Sequence, residues 1–417
     1  MDRHLDIAIV GYGTAGQAVA RLLRRQGHRL EIFERAPQPG PVGAGLLLQP
    51  TGLGVLAQLG LLDAALACGE PIARLLGTTS TGRRVIDMHY SGLDPTWFGL
   101  GIQRGALFEI LRDATLAPAL RCGTTIATID HAARALVDAG GARHGPYDLI
   151  LVAGGAASNL RPAELVRRDR PYPWGALWCL CADPDRVWRG DLLQRYARAS
   201  RMAGILPVGR LPGQGDAQRR VSLFWSMPAH RLGGSVERGL DALRDEIGAY
   251  WPEIRPLLAT LVDMRELAPA QYRDAVLRRF AQGRVAWLGD AAHAMSPQLG
   301  QGANMALLDA YRLSQALERA RDVDAALAQY DRERRRHVGI YQFLSRWLTP
   351  LFQSDLDWAA ALRDSLFGPL GRAPLLRGEM LKVLAGVKRG LFRRVPVLPF
   401  ARERDGVAQS LPDSGAT

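Results

Sequence analysis

The sequence predicts an α/β protein. It has a domain built on a parallel sheet, an inserted domain of mainly antiparallel β-sheet, and a C-terminal helical region. Two observations predict this fold. Residues 5–34 read as strand, helix and strand around a glycine-rich turn. A second strand–turn–helix pattern, "WLGDAAHAMSPQLGQGANMALLDA" at 287–310, lies far along the chain. Both patterns belong to the parallel-sheet domain, which is therefore expected to be discontinuous.

The N-terminal pattern is a complete βαβ unit. Leu5 to Val10 is a short apolar run that predicts a buried strand. Apolar residues then recur at helical spacing as far as Gly27, and Leu30 to Phe33 predicts the second strand. A βαβ unit that opens on a glycine-rich turn is the Rossmann-like form of a dinucleotide-binding domain.

The glycine-rich turn has the pattern G-x-G-x-x-G. The first glycine permits the tight bend, the second lets a pyrophosphate approach the backbone, and the third lets the helix pack closely on the strand. The helix N-terminus attracts the phosphates, and the acid that ends the second strand can accept hydrogen bonds from an adenosine ribose. The residues of this unit that we predict to bind a cofactor are Gly11, Gly13, Thr14, Ala15, Gly16, Glu34 and Arg35.

The late pattern distinguishes FAD from NAD. Asp290 directly follows a predicted strand at 285–288, where its carboxylate can bond a ribityl hydroxyl, a group that FAD has and NAD lacks. A proline stiffens the turn that follows, and glycines let the backbone approach a flat ring. The amides at the start of the next helix can stabilise the negative charge of a reduced isoalloxazine. The predicted cofactor-binding residues here are Asp290, Gly302, Ala303 and Asn304.

With these motifs in place, the chain resembles the FAD-dependent aromatic hydroxylases, which are class A flavoprotein monooxygenases with the para-hydroxybenzoate hydroxylase fold. The resemblance covers most of residues 1–345. The matching stretches are "GYGTAG" at 11–16, "ER" at 34–35, "PVGAGLLLQP" at 41–50, Arg104 in "GIQRGALFEIL", and "GDAAHAMSPQLGQGAN" at 289–304. The resemblance implies that Gly43, Ala44 and Gly45 line the flavin, and that Arg104 lies on the helix covering it. It also implies that oxygen reacts beside the loop from Pro297 to Gly302, so Pro297 and Gly300 are the predicted catalytic residues.

The family also has a middle motif, usually an Asp-Gly pair that closes a strand before a Ser and an Arg. Here that stretch is "YDLILVAGGAASNLR" at 147–161, in which Gly155, Ser158 and Arg161 fit and Gly154 stands where the Asp would be. In the family this region serves both the flavin pyrophosphate and the nicotinamide cofactor. We predict that Gly155 binds FAD, whereas Gly154 leaves open whether NADPH, NADH or a separate flavin reductase delivers the electrons.

The motifs divide the chain into predicted domains. The FAD-binding domain is expected at 1–75, 100–170 and 265–345. The antiparallel substrate domain is expected at 76–99 and 171–264, with strands at "ALWCLC" (176–181) and "RVSLFWSM" (220–227). A C-terminal helical region and tail are expected at 346–417. The predicted substrate-binding residues are Trp178, Trp225, Met227 and Pro297.

Composition narrows the class of protein further. The four cysteines show no metal-ligand spacing, and no signal peptide precedes the first strand, so a cytoplasmic protein without a metal is expected. The net charge of +12 comes almost entirely from Arg in an Ala-, Gly- and Leu-rich chain, which indicates general basicity and no nucleic-acid partner. The basic, apolar segment from Arg372 to Arg404 leaves peripheral membrane contact open.

The resemblance implies a mechanism. Reduced FAD reacts with O₂ at C4a, and the hydroperoxide transfers one oxygen atom to an aromatic or other electron-rich apolar small molecule. Three alternatives stay open: a flavin oxidase or dehydrogenase that inserts no oxygen, a membrane-associated hydroxylase of a quinone precursor, and a non-catalytic flavin-binding protein.

Overall fold

The chain forms the mixture of helices and strands that the sequence predicts. The computed structural model describes residues 4–40, 43–390 and 393–400. The strands are β1 (Asp6–Val10), β2 (Arg29–Phe33), β3 (Gly45–Leu48), β4 (Glu70–Thr79), β5 (Arg84–His89), β6 (Gly99–Gln103), β7 (Leu120–Arg121), β8 (Ile126–Asp130), β9 (Ala135–Asp138), β10 (Arg143–His144), β11 (Leu149–Val152), β12 (Val166–Ala182), β13 (Gly190–Ala197), β14 (Arg201–Gly209), β15 (Arg220–Pro228), β16 (Ala268–Leu277), β17 (Ala281–Gln282), β18 (Val285–Trp287), β19 (Lys388–Arg389) and β20 (Arg393–Arg394). The α-helices are α1 (Thr14–Arg25), α2 (Pro50–Gln58), α3 (Leu62–Cys68), α4 (Arg104–Leu111), α5 (Leu232–Glu237), α6 (Leu240–Tyr250), α7 (Arg255–Ala259), α8 (Asp290–His293), α9 (Gly302–Arg319), α10 (Val323–Phe352), α11 (Asp357–Arg372) and α12 (Pro374–Leu384).

The first sheet is the predicted Rossmann-like sheet, with strand order β17-β18-β11-β1-β2-β7. From β18 to β7 its strands run parallel, and β17 pairs antiparallel at the edge. The central strands are buried on both faces because helices cover them, as parallel strands require. The carboxyl ends of β1, β2, β11 and β18 lie on one edge of this sheet, which is where open α/β sheets bind their ligands.

The second sheet contains the two strands predicted for the substrate domain, as parts of β12 and β15. Its order is β16-β12-β15-β14-β13-β4-β6-β3, with β5 paired to β4. Its pairs are antiparallel except for β13 with β4. Five strands of this sheet, β3, β4, β6, β12 and β16, include residues that the sequence boundaries placed in the FAD-binding domain. The two predicted domains therefore contribute strands to one continuous sheet.

The two faces of the second sheet have different surroundings. Trp178 on β12 lies opposite Phe224 on β15, and Leu177 lies opposite Trp225. Because side chains alternate along a strand, these two pairs point to opposite faces. The Trp225 face is covered by α6 and α7. The face with Phe224 also carries Ser222, whose Oγ accepts a hydrogen bond from the backbone N–H of Gly45, so it is the face turned toward the predicted flavin loop.

The C-terminal region is helical, as predicted. The helix α10 crosses the expected boundary at residue 346, and α11 and α12 follow it. The polar tail and the basic residues from 401 onward, which the sequence analysis included in this region, lie outside the described residues. No helix within the described ranges has both the length and the apolar character that crossing a membrane requires.

Candidate flavin site

The glycine-rich turn after β1 has the geometry of a phosphate cradle. Gly11 has a φ of +104°, and a Cβ there would lie 2.5 Å from the carbonyl oxygen of Ala153. A Cβ on Gly16 would lie 1.9 Å from the carbonyl oxygen of Gly11. A Cβ on Gly13 would meet nothing within 4 Å. The first and third glycines are therefore required by close packing, and the second faces open space at the start of α1.

Glu34 turns back toward this cradle from the end of β2. Its Oε2 accepts a hydrogen bond from the backbone N–H of Tyr12 at 2.8 Å, and its Oε1 accepts one from the N–H of Ala36 at 2.9 Å. These two bonds fix the carboxylate beside the glycine-rich turn while leaving it part-exposed. The neighbouring Arg35 is exposed. Glu34 thus has the position that a ribose-binding acid needs.

Asp290 lies where β18 ends and the single turn of α8 begins. Its side chain is exposed, and its Oδ1 is 3.8 Å from where a Cβ on Gly302 would stand. The carboxylate therefore faces the start of α9 across an open groove. Arg161 stabilises this turn, because its guanidinium donates hydrogen bonds to the backbone oxygens of Asp290 (2.9 Å) and Ala291 (2.7 Å).

Arg161 also ties this turn to the loop after β11. Its guanidinium donates to the backbone oxygens of Gly155 (3.3 Å), Ala156 (2.9 Å) and Ser158 (3.1 Å). Burial lowers the pKa of Arg161, although the nearby Asp169 opposes that effect. One buried cation thus joins the middle motif to the late motif. A Cβ added to Gly154 would lie 3.3 Å from the Oγ of Ser158.

A buried network of charged residues supports the turn at Gly289 and Asp290. Asp309 on α9 accepts hydrogen bonds from the N–H of Gly289 (2.7 Å), from His293 Nε2 (2.6 Å) and from Arg334 Nε on α10 (2.6 Å). Burial by itself raises the pKa of Asp309, but His293 and Arg334 outweigh burial and lower the pKa to about 2. The network extends to His337, which contacts Arg334 at 2.7 Å. His293 is fully buried in this network, which gives it a structural role.

The loop predicted to line the flavin is closely packed. Gly43 has a φ of +93°, and a Cβ there would lie 3.0 Å from Cδ of Arg104. The backbone N–H of Arg104, the first residue of α4, donates to the carbonyl oxygen of Ala44 at 2.9 Å. A Cβ on Gly45 would lie 2.4 Å from Val208 on β14. The loop is thus held between α4 and the second sheet. Residues 41 and 42 of the matching stretch lie outside the described residues.

The second wall of the groove is the loop from Pro297 to Gly302. Gly300 has a left-handed backbone, with φ +60° and ψ 30°. The fully buried Asn304 holds this loop to β3: its Nδ2 donates to the backbone oxygens of Gly300 and Leu47, and its Oδ1 accepts from the N–H of Gln49. Because both polar atoms of the Asn304 side chain are already hydrogen-bonded, we expect Asn304 to contact a cofactor through its backbone N–H. The same holds for Ala303, which has no polar side chain.

Trp178, Phe224 and Tyr272, which we call the aromatic wall, pack in one cluster on the face of the second sheet that also carries Ser222. Trp178 and Phe224 have ring centroids 5.1 Å apart. The indole Nε1 of Trp178 donates to the hydroxyl of Tyr272 on β16 at 2.8 Å. Burial raises the pKa of Tyr272 to about 12, and the charge of Arg104 acts in the opposite direction. The hydroxyl of Tyr272 therefore stays protonated near neutral pH.

Trp225 and Met227 do not belong to this aromatic wall. Both are buried in the cluster between the second sheet and the helices α6 and α7, on the face opposite Trp178. The predicted substrate contact of these two residues is not supported, because strand alternation turns them away from the groove. The sequence showed the aromatic run on β15 but could not show which of its two faces meets the flavin.

Two residues that the sequence analysis missed lie near the groove. Tyr272 has no motif around it, and only the pairing of β16 with β12 brings it to Trp178. Gln49 is fully buried and accepts a hydrogen bond from Tyr90 at 2.6 Å, while its Nε2 has no partner among the described residues. That nitrogen lies 3.9 Å from where a Cβ on Gly300 would stand. The polar residue in "LLLQP" could have suggested Gln49, because it interrupts an apolar run.

The arrangement fits a dinucleotide whose far end is a flat ring system. The groove runs from an open phosphate cradle at Gly13 past Glu34 and the exposed carboxylate of Asp290. It ends between the Gly43 loop and the Gly300 loop, on the side of the second sheet that carries the aromatic wall. Nε2 of Gln49, which has no partner among the described residues, lies near the Gly300 loop and can still form hydrogen bonds. These features define a flavin-binding protein of the adenine-dinucleotide type.

Comparisons with known proteins agree with this class. The FAD binding domain family matches residues 4–340. The 3-amino-4-hydroxybenzoate 2-monooxygenase of Streptomyces cremeus is 30% identical over 79% of this chain and 83% of its own length. The 2-heptyl-3-hydroxy-4(1H)-quinolone synthase of Pseudomonas aeruginosa is 27% identical over 87% of this chain and 93% of its own length. A Klebsiella pneumoniae protein crystallised with FAD and uric acid superposes with a TM-score of 0.76 at 21% identity, covering 93% of this chain and 98% of that one.

The chain therefore belongs to the FAD-dependent monooxygenases. This confirms the family, the α/β fold, the FAD cofactor and the oxidoreductase class that the sequence predicted, and it favours oxygen insertion over an oxidase without it. The individual site residues, the source of electrons and the substrate remain predictions.

Proposed function

We propose that this protein inserts one oxygen atom from O₂ into a small aromatic molecule bound over the flavin. The observation that carries the proposal is the convergence of three motifs, from the ends of β1, β2 and β18, on one groove roofed by Trp178, Phe224 and Tyr272. Bound FAD would supply the oxygen-activating chemistry. Relatives named for aminohydroxybenzoate and quinolone substrates support an aromatic substrate for this chain.

The chain's own residues would bind and orient the cofactor. The proposed cofactor contacts are those predicted from the sequence: Gly11, Gly13, Thr14, Ala15, Gly16, Glu34, Arg35, Gly43, Ala44, Gly45, Arg104, Gly155, Asp290, Gly302, Ala303 and Asn304. The acids Glu34 and Asp290 would accept hydrogen bonds from ribose and ribityl hydroxyls. The start of α9 would stabilise negative charge at the pyrimidine end of the ring.

Oxygen transfer would take place between the loop from Pro297 to Gly300 and the aromatic wall. The rigid loop would exclude water, which the chemistry requires. The aromatic wall would hold a flat substrate through stacking. The hydroxyl of Tyr272 accepts a hydrogen bond from Trp178 and would therefore be oriented to donate its own proton to an oxygen atom of the substrate. This places Tyr272 beside Trp178 in the proposed substrate site.

The route of the electrons forms a separate part of the proposal. The family's acid is absent at Gly154, and beside it lies a cavity of about 570 Å³ lined by Ser158, Arg161, Asp169 and Arg273, among others. Without the acid, the loop loses a negative charge and one acceptor for a nicotinamide ribose. We propose that reduction by NADPH or NADH is slow without substrate, so that the enzyme depends on bound substrate or on a separate reductase.

The protein is proposed to act in the cytoplasm. Four free cysteines, of which Cys68, Cys179 and Cys181 are buried, fit a reducing compartment such as the cytoplasm. Peripheral membrane contact through the C-terminal region is compatible with that location.

The decisive experiment uses isotopically labelled oxygen. The FAD-loaded protein is reduced, mixed with a panel of hydroxybenzoates and 4-quinolones, and exposed to ¹⁸O₂, and products are read by mass spectrometry. A product that gains one ¹⁸O atom is expected. The matched control is Asp290→Ala, which is expected to lose most of its FAD because the proposed acceptor for a ribityl hydroxyl is removed. Oxidised product without the label would show an oxidase and overturn the proposal.

A further inference from the structure

The exposed apolar side chains of this protein are concentrated in one region. Among the described residues, nine of the eleven large hydrophobic side chains that are exposed lie between residues 343 and 376. We call these nine the C-terminal apolar surface: Phe343, Trp347, Leu356, Trp358, Leu362, Leu366, Leu370, Leu375 and Leu376. A concentration of this kind on a protein surface marks an interaction site.

The helix α11 gives this surface a regular geometry. Trp358, Leu362, Leu366 and Leu370 follow one another at intervals of four residues, so they form one stripe along the helix. The stripe is about 18 Å long at 1.5 Å per residue. Trp358 is 64% exposed, and Leu375 at the start of α12 is 74% exposed. An amphipathic surface helix would have polar residues at these positions.

The orientation of α11 is fixed by its opposite face. Arg363 is fully buried and donates hydrogen bonds to the backbone oxygens of Arg198 (3.0 Å) and Leu351 (2.9 Å). Its guanidinium also lies over the ring of Tyr196, 4.9 Å from the centroid. Turning the helix to bury the stripe would expose Phe367 and break the bonds of a buried cation, which is costly. The stripe therefore stays outside.

The charge around this surface selects the partner. Residues 343–400 contain nine Lys and Arg against four Asp and Glu, a net charge of +5. Between residues 358 and 378 the only acid is Asp364, which is paired with the buried Arg363 at 2.7 Å. The exposed acids Asp355 and Asp357 lie at the opposite end of the surface, on either side of Leu356. Two copies of this chain would bring two positive surfaces together, whereas an anionic lipid surface attracts such a segment. Trp and Leu beside basic residues are typical of helices that lie in a membrane interface.

We infer that the C-terminal apolar surface binds peripherally to an anionic lipid bilayer, with the stripe of α11 inserted at the level of the headgroups. The contact would then lie mainly on the outer face of α11, which precedes the basic segment at 372–404 for which the sequence left membrane contact open.

The surface also lies next to the proposed substrate site. Phe367 on the inner face of α11 and Phe352 at the end of α10 pack together, with ring centroids 5.9 Å apart. Both belong to the same apolar cluster as Phe224, against which Trp178 and Tyr272 pack. One helix thus separates the lipid-binding stripe from the aromatic wall. If the proposed oxygenase function holds, an apolar substrate dissolved in the bilayer has a short path to the flavin.

The test measures binding without turnover, so its failure would leave the oxygenase proposal standing. The full-length, FAD-loaded protein is sedimented with vesicles of equal parts phosphatidylglycerol and phosphatidylcholine, and with vesicles of phosphatidylcholine alone. Binding to the anionic vesicles is expected, weakened by added salt. The double variant Leu362→Ser/Leu366→Ser is expected to bind about thirtyfold more weakly, since two half-exposed leucines lose their apolar contact.

The matched control replaces exposed apolar residues elsewhere. Val187 is 71% exposed and Val262 is 80% exposed, and both lie outside the C-terminal apolar surface. Val187→Ser/Val262→Ser should bind vesicles like the wild type. Arg377→Glu, at an exposed position on α12, should also weaken binding and serves as a second variant if the double leucine variant fails to fold.

Two outcomes would overturn the inference. One is that the wild type does not sediment with anionic vesicles, or that the double leucine variant sediments with them as strongly as the wild type does. The other is a wild-type dimer in light scattering that becomes monomeric in the leucine variant while vesicle binding is absent. That result would assign the surface to a second copy of the chain.

Discussion

Replacing Asp309 with Asn tests whether the buried network holds the flavin turn. Asn keeps the shape of the side chain but removes its charge. Arg334 then lies in the interior without a counter-ion, and His293 loses its charged partner. The bond from the N–H of Gly289 is weakened as well, because a neutral amide oxygen is a poorer acceptor than a carboxylate. Gly289 has a φ of +56° and directly precedes Asp290, so the proposed ribityl contact should shift with it.

The size of the effect follows from the protonation of Asp309. Its pKa falls from an ordinary 3.8 to about 2 in the folded protein. A difference of this size contributes about 2–3 kcal/mol to the free energy of unfolding. That contribution is fully present above the unfolded pKa of 3.8 and is lost as pH falls through about 2. Leaving Arg334 unpaired adds to the cost at neutral pH, and breaking a buried ion pair costs about 3–5 kcal/mol in total.

The assay is urea unfolding of the FAD-free protein at neutral pH and through the acid range, together with titration of FAD by its fluorescence. We expect Asp309→Asn to lose about 3–5 kcal/mol at neutral pH, and to differ much less from wild type at the acid limit. Its FAD affinity should fall. The control is Asp324→Asn, which removes an exposed ion pair with Arg284 and should cost under about 1 kcal/mol. Equal stability of the two variants would refute the reasoning.

Three further predictions concern the proposed site. Glu34→Ala should weaken FAD binding with little change in unfolding temperature, and unchanged affinity in equilibrium titration would remove its ribose role. Gly154→Asp needs only a small shift of Ser158 and should speed anaerobic reduction of the flavin by NADH or NADPH about tenfold to a hundredfold. Stopped-flow traces in which the wild type is already reduced rapidly without substrate, and the variant no faster, would contradict this. Trp178→Phe should raise the KM for the aromatic substrate while FAD content stays constant, because Tyr272 loses its orienting donor, and an unaltered KM would argue against the substrate role.

The sequence by itself determined the local parts of the flavin site. Strand, glycine turn and helix are read from neighbouring residues, so the βαβ unit, Glu34 and the Asp290 turn could be predicted to within a residue or two. Each depends on backbone geometry that few residues allow, such as the positive φ of Gly11. The departure at Gly154 was visible for the same reason.

Only the tertiary structure decided which side chains meet across distant elements. Tyr272 and Trp178 are 94 positions apart and meet because β16 pairs with β12. Trp225 lies on the face opposite Trp178, because a strand shows its alternation in sequence but not which face packs against which element. The bonds of Arg363 decide which side of α11 points inward, and they leave the apolar stripe of this helix exposed. Local conformation is set by a residue and its neighbours, whereas burial is set by whatever the folded chain brings against it.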